Sequence, residues 1–355
     1  MVNNAKESFK QNNLRSINLV EHKNVLVTGG AGFIGSWLVD ELVNRGNNVV
    51  SVDDLSGGFQ SYVNEKSKFI KVDLRDNQKV SKIFEEEKFD TVFHLAAYAA
   101  EGQSIFSPIE INDINITPMN NLLVASVNND VQKFVFTSSM AVYGNQQPPF
   151  NEDMPTMPED PYGCGKAYCE SMLKIFSHTY NFDYVILRPH NVYGPRQNLS
   201  DPFRNVLGIW INRIMKEKEP YIFGDGAQER AFSYIADLAP AIARAGFESK
   251  ANGQIINVGS KEVTTINEAC QVVLKAMGSK LKPIYLDKRP GEVKYAYCTV
   301  EKSEKILNYK TATTLSEGIK MMVKWAKKVG PQEPTYRLPL EITKKAPQVW
   351  KEKLV

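Results

Sequence analysis

Through the first half of the chain, short apolar runs alternate with segments whose apolar residues recur at helical spacing. Val25, Leu26 and Val27 form a run typical of a strand buried on both faces, and Phe33, Trp37, Leu38 and Leu42 follow on one helical stripe. A second strand (Val49, Val50, Val52) ends on Asp53, a third (Phe69, Ile70, Val72) ends at Asp73, and a charged helix continues through Phe84. The pattern then predicts a strand over Thr91 to Leu95, a helix over 109–127 and a fifth strand at Phe134 to Phe136 that ends in Thr137-Ser138-Ser139. A helix over 162–180 and a strand over Tyr184 to Leu187 complete the series. This alternation predicts an α/β fold with a parallel, doubly wound sheet, whose ligand lies on the loops at the carboxyl ends of the strands.

Prolines punctuate the rest. Pro148, Pro149, Pro155, Pro158 and Pro161 make residues 145–161 a loop over the site. Beyond Pro189 the alternation loosens, with strands near 221–223, 232–235, 255–258 and 283–286 among helices. Thr265 with Glu268 and Thr314 with Glu317 have capping-box spacing and read as helix starts. The expected organisation is a polar extension at 1–20, a nucleotide-binding domain at 21–188 and a smaller lobe at 189–330, parts of which return to the main sheet. A proline-spaced arm at 331–355 is expected to lie over the surface.

Length and composition narrow the class. A chain of 355 residues can bury a large core, and 43% hydrophobic with 23% charged residues is the balance of a soluble globular protein. A net charge of +3 from scattered basic residues gives no basis for a nucleic-acid partner. Cys164, Cys169, Cys270 and Cys298 have neither metal-ligand nor disulfide-framework spacing, so no metal site is expected and a reducing compartment is. No stretch is long and apolar enough to span a membrane, and a cytoplasmic location is expected.

Two constellations carry chemistry. Gly29, Gly32 and Gly35 sit between the first strand and its helix, with Asp53 about 20 residues beyond, where a ribose-binding acid belongs. Glycines alone there would be ordinary turn chemistry. In this context they allow a tight turn, close backbone approach to a pyrophosphate and close helix-on-strand packing, and the acid favours NAD over NADP. Tyr162 and Lys166 stand four apart on one helix face. A phenol of pKa about 10 is a poor base until a neighbouring ammonium and an oxidised nicotinamide lower that value. With Ser139 at the fifth strand's end, such a tyrosine can take the proton of a hydroxyl whose carbon loses hydride.

Thr28 to Gly35, His94 to Ala97, Ser138-Ser139 with Val142-Tyr143-Gly144, Tyr162 to Lys166 and Asn191 to Pro195 together resemble the extended short-chain dehydrogenase/reductases, nearest the nucleotide-sugar epimerase branch of UDP-galactose 4-epimerase type. The resemblance covers about residues 23 to 325. It implies a Rossmann-type domain holding NAD, a carboxyl-terminal lobe binding a nucleoside-diphosphate sugar, and a homodimer through helices 109–127 and 162–180. By position it implies Tyr162 as catalytic base, Lys166 tuning it and bonding the nicotinamide ribose, and Ser139 sharing the substrate oxygen. Gly29, Gly32, Phe33, Ile34 and Gly35 resemble the pyrophosphate cradle and Asp53 the ribose acid. Asp73 and Leu74 resemble the adenine edge, and Ala96, Ala97 and Asn115 the cofactor path. Asn191, Asn205, Arg230 and Arg289 match positions holding the diphosphate and nucleoside, with Glu292 as the acid for the ribose hydroxyls.

Departures narrow the reaction. Dehydratases of the resembled family place an acidic pair just before Val-Tyr-Gly and decarboxylases a glutamate, whereas Met140 and Ala141 stand here. What remains is reversible hydride and proton transfer, with C4 epimerisation of a UDP-sugar as the leading expectation. The alternatives are a nucleotide-sugar reductase or dehydrogenase using exchangeable NAD(P)H, and a non-catalytic dinucleotide-binding regulator. Ala296 replaces a bulky tyrosine of hexose-restricted epimerases, which would admit a 2-acetamido sugar. His94 and His190 read as structural histidines at buried strand ends.

Overall fold

The computed structural model describes residues 22–355, and the polar extension expected at 1–20 lies outside them. The chain runs β1 (Asn24–Thr28), α1 (Phe33–Asn44), β2 (Asn48–Asp53), β3 (Lys68–Lys71), α2 (Asn77–Glu87), β4 (Thr91–His94), α3 (Glu101–Ser104), α4 (Pro108–Asn128), β5 (Lys133–Thr137), α5 (Pro161–Tyr180) and β6 (Asp183–Pro189). With β11 (Gln254–Val258), these strands form one sheet of seven in the order β11-β6-β5-β4-β1-β2-β3, every neighbouring pair parallel. The order reverses beside β1, so the crevice at the carboxyl ends of β1 and β4 is where a ligand belongs.

Both sheet faces are covered, as the unbroken apolar runs require. Val25 and Val27 pack with Leu38 and Leu42 of α1 on one side, while Leu26 packs with Phe84, Leu122 and Leu173 on the other. Trp210 and the later helices extend the first of these cores, joining the smaller lobe to the sheet.

That lobe comprises β7 (Val192–Tyr193), α6 (Val206–Met215), β8 (Tyr221–Phe223), β9 (Glu229–Ala231), β10 (Ser233–Tyr234), α7 (Ile235–Ala245), β12 (Val263–Thr265), α8 (Ile266–Met277), β13 (Ile284–Leu286), β14 (Tyr295–Ala296), α9 (Glu301–Leu307) and α10 (Leu315–Val329). Its strands pair in small sets, β12-β9-β14, β10-β7 and β13-β8. The strand expected over 232–235 is only the two-residue β10, because Ile235 already opens α7, which packs against α1. Both capping boxes form, Thr265 with Glu268 starting α8 and Thr314 with Glu317 starting α10.

The last segment does more than lie over the surface. Its prolines keep it extended, but Trp350, in α11 (Gln348–Lys351), is 3% exposed and sits edge-on to Phe106, Phe203 and Phe223. Arg337 and Leu338 of the same segment reach the wall of the main cleft.

Candidate active site

A cleft of about 770 Å³ runs across the carboxyl ends of the sheet strands and under the smaller lobe. At one end lies the glycine turn. Gly29 has φ +71°, and a Cβ there would stand 2.9 Å from the Ala96 nitrogen; a Cβ on Gly35 would stand 2.0 Å from the Gly29 carbonyl oxygen. Gly29 must be glycine for the loop after β4 to approach the turn, and Gly35 for α1 to pack on it so closely. Gly32 caps α1 without any side-chain hydrogen bond, so the first N–H groups of the helix, from Phe33, Ile34 and Gly35, open toward the cleft. Asp53 ends β2, and its carboxylate accepts hydrogen bonds from Ala31 N at 3.1 Å and Leu55 N at 2.8 Å. Burial raises its pKa, which these two bonds oppose. A cradle with no room for a side chain, free N–H groups and a fixed acid suits a dinucleotide.

Asp73, Leu74, Ala96 and Ala97 also line the cleft. The Asp73 carboxylate is held by Arg75 at 2.7 Å and its pKa lies below the usual range for that reason. Asn115 is placed differently from expectation. It is buried behind the cleft wall, where its Oδ1 accepts from Tyr98 N at 2.8 Å and its Nδ2 donates to Tyr98 O at 3.2 Å. Both ends of its amide are thus occupied in bracing the 96–100 loop, and it does not line the cleft itself.

The phenol and the ammonium meet at the centre. Asp160 caps α5, accepting from Gly163 N at 2.8 Å, and this start places Tyr162 and Lys166 on the inward face. Tyr162 is 4% exposed, and the Ser139 side chain lies beside its phenol on the side that favours phenolate. Ser139 also accepts from Ala141 N at 3.1 Å, which fixes its side chain. Lys166 is buried and donates to the Thr137 carbonyl at 2.9 Å, with its ammonium 5.8 Å from the centre of the Tyr162 ring.

In the protein alone, burial raises the Tyr162 pKa first and the charge of Glu101 raises it further, while the neighbouring Ser139 hydroxyl and the charge of Arg204 lower it. Lys166 is itself depressed to about 8 by burial.

Glu101, at the start of α3, gave no sequence signal. It is exposed to the cleft, whose walls enclose it, and this enclosure together with Asp160 pushes its pKa up to about 7 while Arg230 and Arg289 pull it down. Two carboxyls therefore flank Tyr162, although Met140 and Ala141 are as inert as their sequence implied. The carboxyl of Glu101 reaches the cleft from a segment distant in sequence from the β5 end that carries Met140 and Ala141.

The far end gathers the remaining expected residues. Arg289 donates to Glu292 at 3.0 Å and lies 4.5 Å from the centre of the Phe223 ring. Arg230 donates to the carbonyls of Glu229, Val293 and Lys294, which leaves only part of its fork facing the cleft. Glu292 also accepts from Gln228 at 3.2 Å. Asn205 and Asn191 line the same region, both at positive φ, with Asn191 donating to Ala231 O at 3.0 Å. Ala296 lines the cleft beside Arg230, in register with it across β9 and β14.

His94 and His190 take no part in the cleft. His94 bonds Thr28 Oγ1 at 2.8 Å and stacks on Phe136, while His190 meets Cys298 Sγ at 2.8 Å. Burial, first of all, lowers them to about 3 and about 4. Among the described residues no cluster suits a metal ion and no helix is long and apolar enough to cross a membrane.

Comparison with known proteins agrees with this geometry. Residues 25–259 match the model of the NAD dependent epimerase/dehydratase family. A UDP-glucuronate 4-epimerase of Thermodesulfobacterium geofontis is 35% identical over 321 residues, which span 85% of this chain and 95% of that protein. The structure of a Methanobrevibacter ruminantium UDP-N-acetylglucosamine 4-epimerase in complex with UDP-N-acetylmuramic acid superposes with a TM-score of 0.79 at 37% identity, over 86% of this chain and 98% of that one. That of Thermus thermophilus UDP-glucose 4-epimerase in complex with NAD gives 0.80 at 33% identity, over 85% and 98%.

Proposed function

The chain belongs to the NAD-dependent epimerase/dehydratase family with NAD as its cofactor, and from that premise we propose that it inverts a carbon of a UDP-sugar, C4 being the position its site suits best. One observation carries this reading: the Tyr162 phenol, with Ser139 beside it, lines the same continuous cleft as a dinucleotide cradle and an arginine-lined pocket.

NAD, when bound, supplies acceptor and donor for a single hydride. Everything else falls to the chain. Gly29, Gly32, Phe33, Ile34 and Gly35 hold the pyrophosphate, Asp53 the adenosine ribose, and Asp73 and Leu74 the adenine edge. Arg289 and the free part of Arg230 bind the sugar nucleotide's diphosphate with a planar fork of donors, helped by Asn191 and Asn205, and Glu292 takes the ribose hydroxyls. Tyr162 Oη removes the sugar hydroxyl proton while Ser139 Oγ donates to the same oxygen, and Lys166 orients the nicotinamide ribose. The ketosugar then turns about its diphosphate tether, and the phenol returns the proton after hydride enters the opposite face. Ala296 leaves room beside C2 for an acetamido group. The outer faces of α4 and α5, which expose Val124, Tyr168 and Ile175, are the proposed homodimer surface.

Glu101 favours a second reading, in which its carboxyl moves a proton and the ketosugar loses water or CO2. Incubating the purified protein, without added cofactor, with UDP-, GDP-, CDP- and dTDP-sugars and resolving the products separates the two. An epimer of unchanged mass supports the first reading; a product lighter by 18 or 44 mass units, the masses of water and CO2, supports the second; turnover only with added NAD(P)H contradicts both.

A further inference from the structure

Arg337, from the C-terminal segment, reaches the rim of the cleft at the dinucleotide end. Its guanidinium carbon lies 5.1 Å from the centre of the Tyr98 ring, and that of Arg204 lies 4.7 Å from the same ring. Arg204 is paired with Asp201 at 2.5 Å. Arg337, half-buried, forms no ion pair and donates no hydrogen bond among the described residues. Its charge is opposed by that of Arg204 and attracted by the carboxylates of Asp54 and Asp201, none of which takes its hydrogen bonds, so its donors are left for an anion in the cleft.

Its neighbours show which anion. A Cβ on Gly57 would stand 2.3 Å from Arg337 Nη1 and 3.7 Å from Arg204 Nη2, so the Arg337 guanidinium occupies the space beside this loop backbone that a side chain would take. The next residue, Gly58, packs on Ala31 of the glycine turn, where a Cβ would lie 2.7 Å from the Ala31 carbonyl carbon, and Phe59 N donates to Ala31 O at 3.0 Å. Arg337 thus stands one loop residue away from the pyrophosphate cradle. The segment is tied down on either side of it: before it Thr335 N donates to Ser200 O at 2.7 Å, and after it Ser107 Oγ donates to Pro339 O at 2.8 Å, Glu341 accepts from Ile109 N and Glu110 N, and Arg213 donates to Leu354 O at 2.8 Å. The backbone that carries Arg337 is therefore held in place beforehand, and little ordering of the segment is needed when the guanidinium engages.

We propose that Arg337, with Arg204 beside it, binds the dinucleotide's pyrophosphate, so that the C-terminal segment straps the cofactor into the cleft. The inference rests on the dinucleotide assignment and is independent of which sugar is turned over. A sugar nucleotide carries the same diphosphate chemistry, but Arg230 and Arg289 already serve that end.

The test uses the full chain and the variants R337A and R337K. NAD retained through purification is measured first, then the thermal shifts given by ADP-ribose, which carries the cofactor's pyrophosphate, and by UDP. Loss of a charge-assisted hydrogen bond should weaken ADP-ribose binding about ten- to a hundredfold in R337A. R337K should fall between, and UDP affinity should change less than about threefold, a loss too small for a missing charged contact. Unchanged ADP-ribose affinity, a loss confined to UDP, or an equal loss of both overturns the proposal. If R337A does not fold, R337K is judged by the same criterion.

Discussion

The ammonium of Lys166 stands 5.8 Å from the centre of the Tyr162 ring and gives its hydrogen bond to the Thr137 carbonyl. The lysine is thereby anchored to the end of β5, and the phenol's proton is governed by its burial and by Glu101. Because a negative charge on Glu101 disfavours phenolate, removing that charge lowers the pH at which the base form appears. E101Q should therefore shift the acidic limb of the kcat/KM profile to lower pH where that limb lies above about pH 7, and leave the rate at pH 6, where the carboxyl is already mostly neutral, little changed. Loss of turnover at every pH would instead make Glu101 a participant in proton transfer.

Glu170 and Arg188 form a fully buried pair, with Nη2 to Oε2 at 2.6 Å and Nε to Oε1 at 2.8 Å, and Ser138 donates to the same carboxylate at 2.6 Å. Removing one partner strands a charge in the core. E170A should cost ~3–5 kcal/mol by urea unfolding, and E170M/R188M should cost less than the single change.

His94 has a folded pKa of about 3, below its ordinary 6.5. The neutral ring is favoured in the fold, so its stabilisation is complete above pH 6.5, declines as pH falls below that value and is gone below about 3. At pH 4.5 the loss from this one group is about 2–3 kcal/mol. Urea midpoints at pH 7.5 and 4.5 measure it, and H94Q should show a lower midpoint at pH 7.5 but a flatter pH dependence.

Ala296 is buried, 5% exposed, and faces the cleft. A296Y fills the space proposed for a 2-acetamido group. Activity on a UDP-N-acetylhexosamine should fall roughly tenfold or more while that on the matching UDP-hexose changes roughly threefold or less. Equal losses on both would place the sugar elsewhere.

Much of this was legible in the sequence because the responsible signals are local. The run at Val25 to Val27, the glycines at 29, 32 and 35 and the pair at 162 and 166 each lie within one element, where periodicity and spacing act directly. Glu101, Asp160, Arg204 and Arg337 come from four separate segments, and no spacing relates them before the sheet closes. Strands of two or three residues such as β10 and β14 are too short to show alternation. The prolines after residue 330 described the arm's extended backbone correctly but concealed that Trp350 would be buried by aromatic residues from distant elements. Asn115 is bound to the Tyr98 backbone, a partner that no spacing in the sequence indicates.

The role given to Tyr162 is tested most directly by Y162F, assayed for bound NAD and for sugar-nucleotide turnover in the same preparation. The phenyl ring keeps the packing against α5's neighbours, so NAD content should match the unaltered protein while turnover falls by about 10²–10⁴. Undiminished turnover with NAD still bound would contradict the assignment of this phenol as the base.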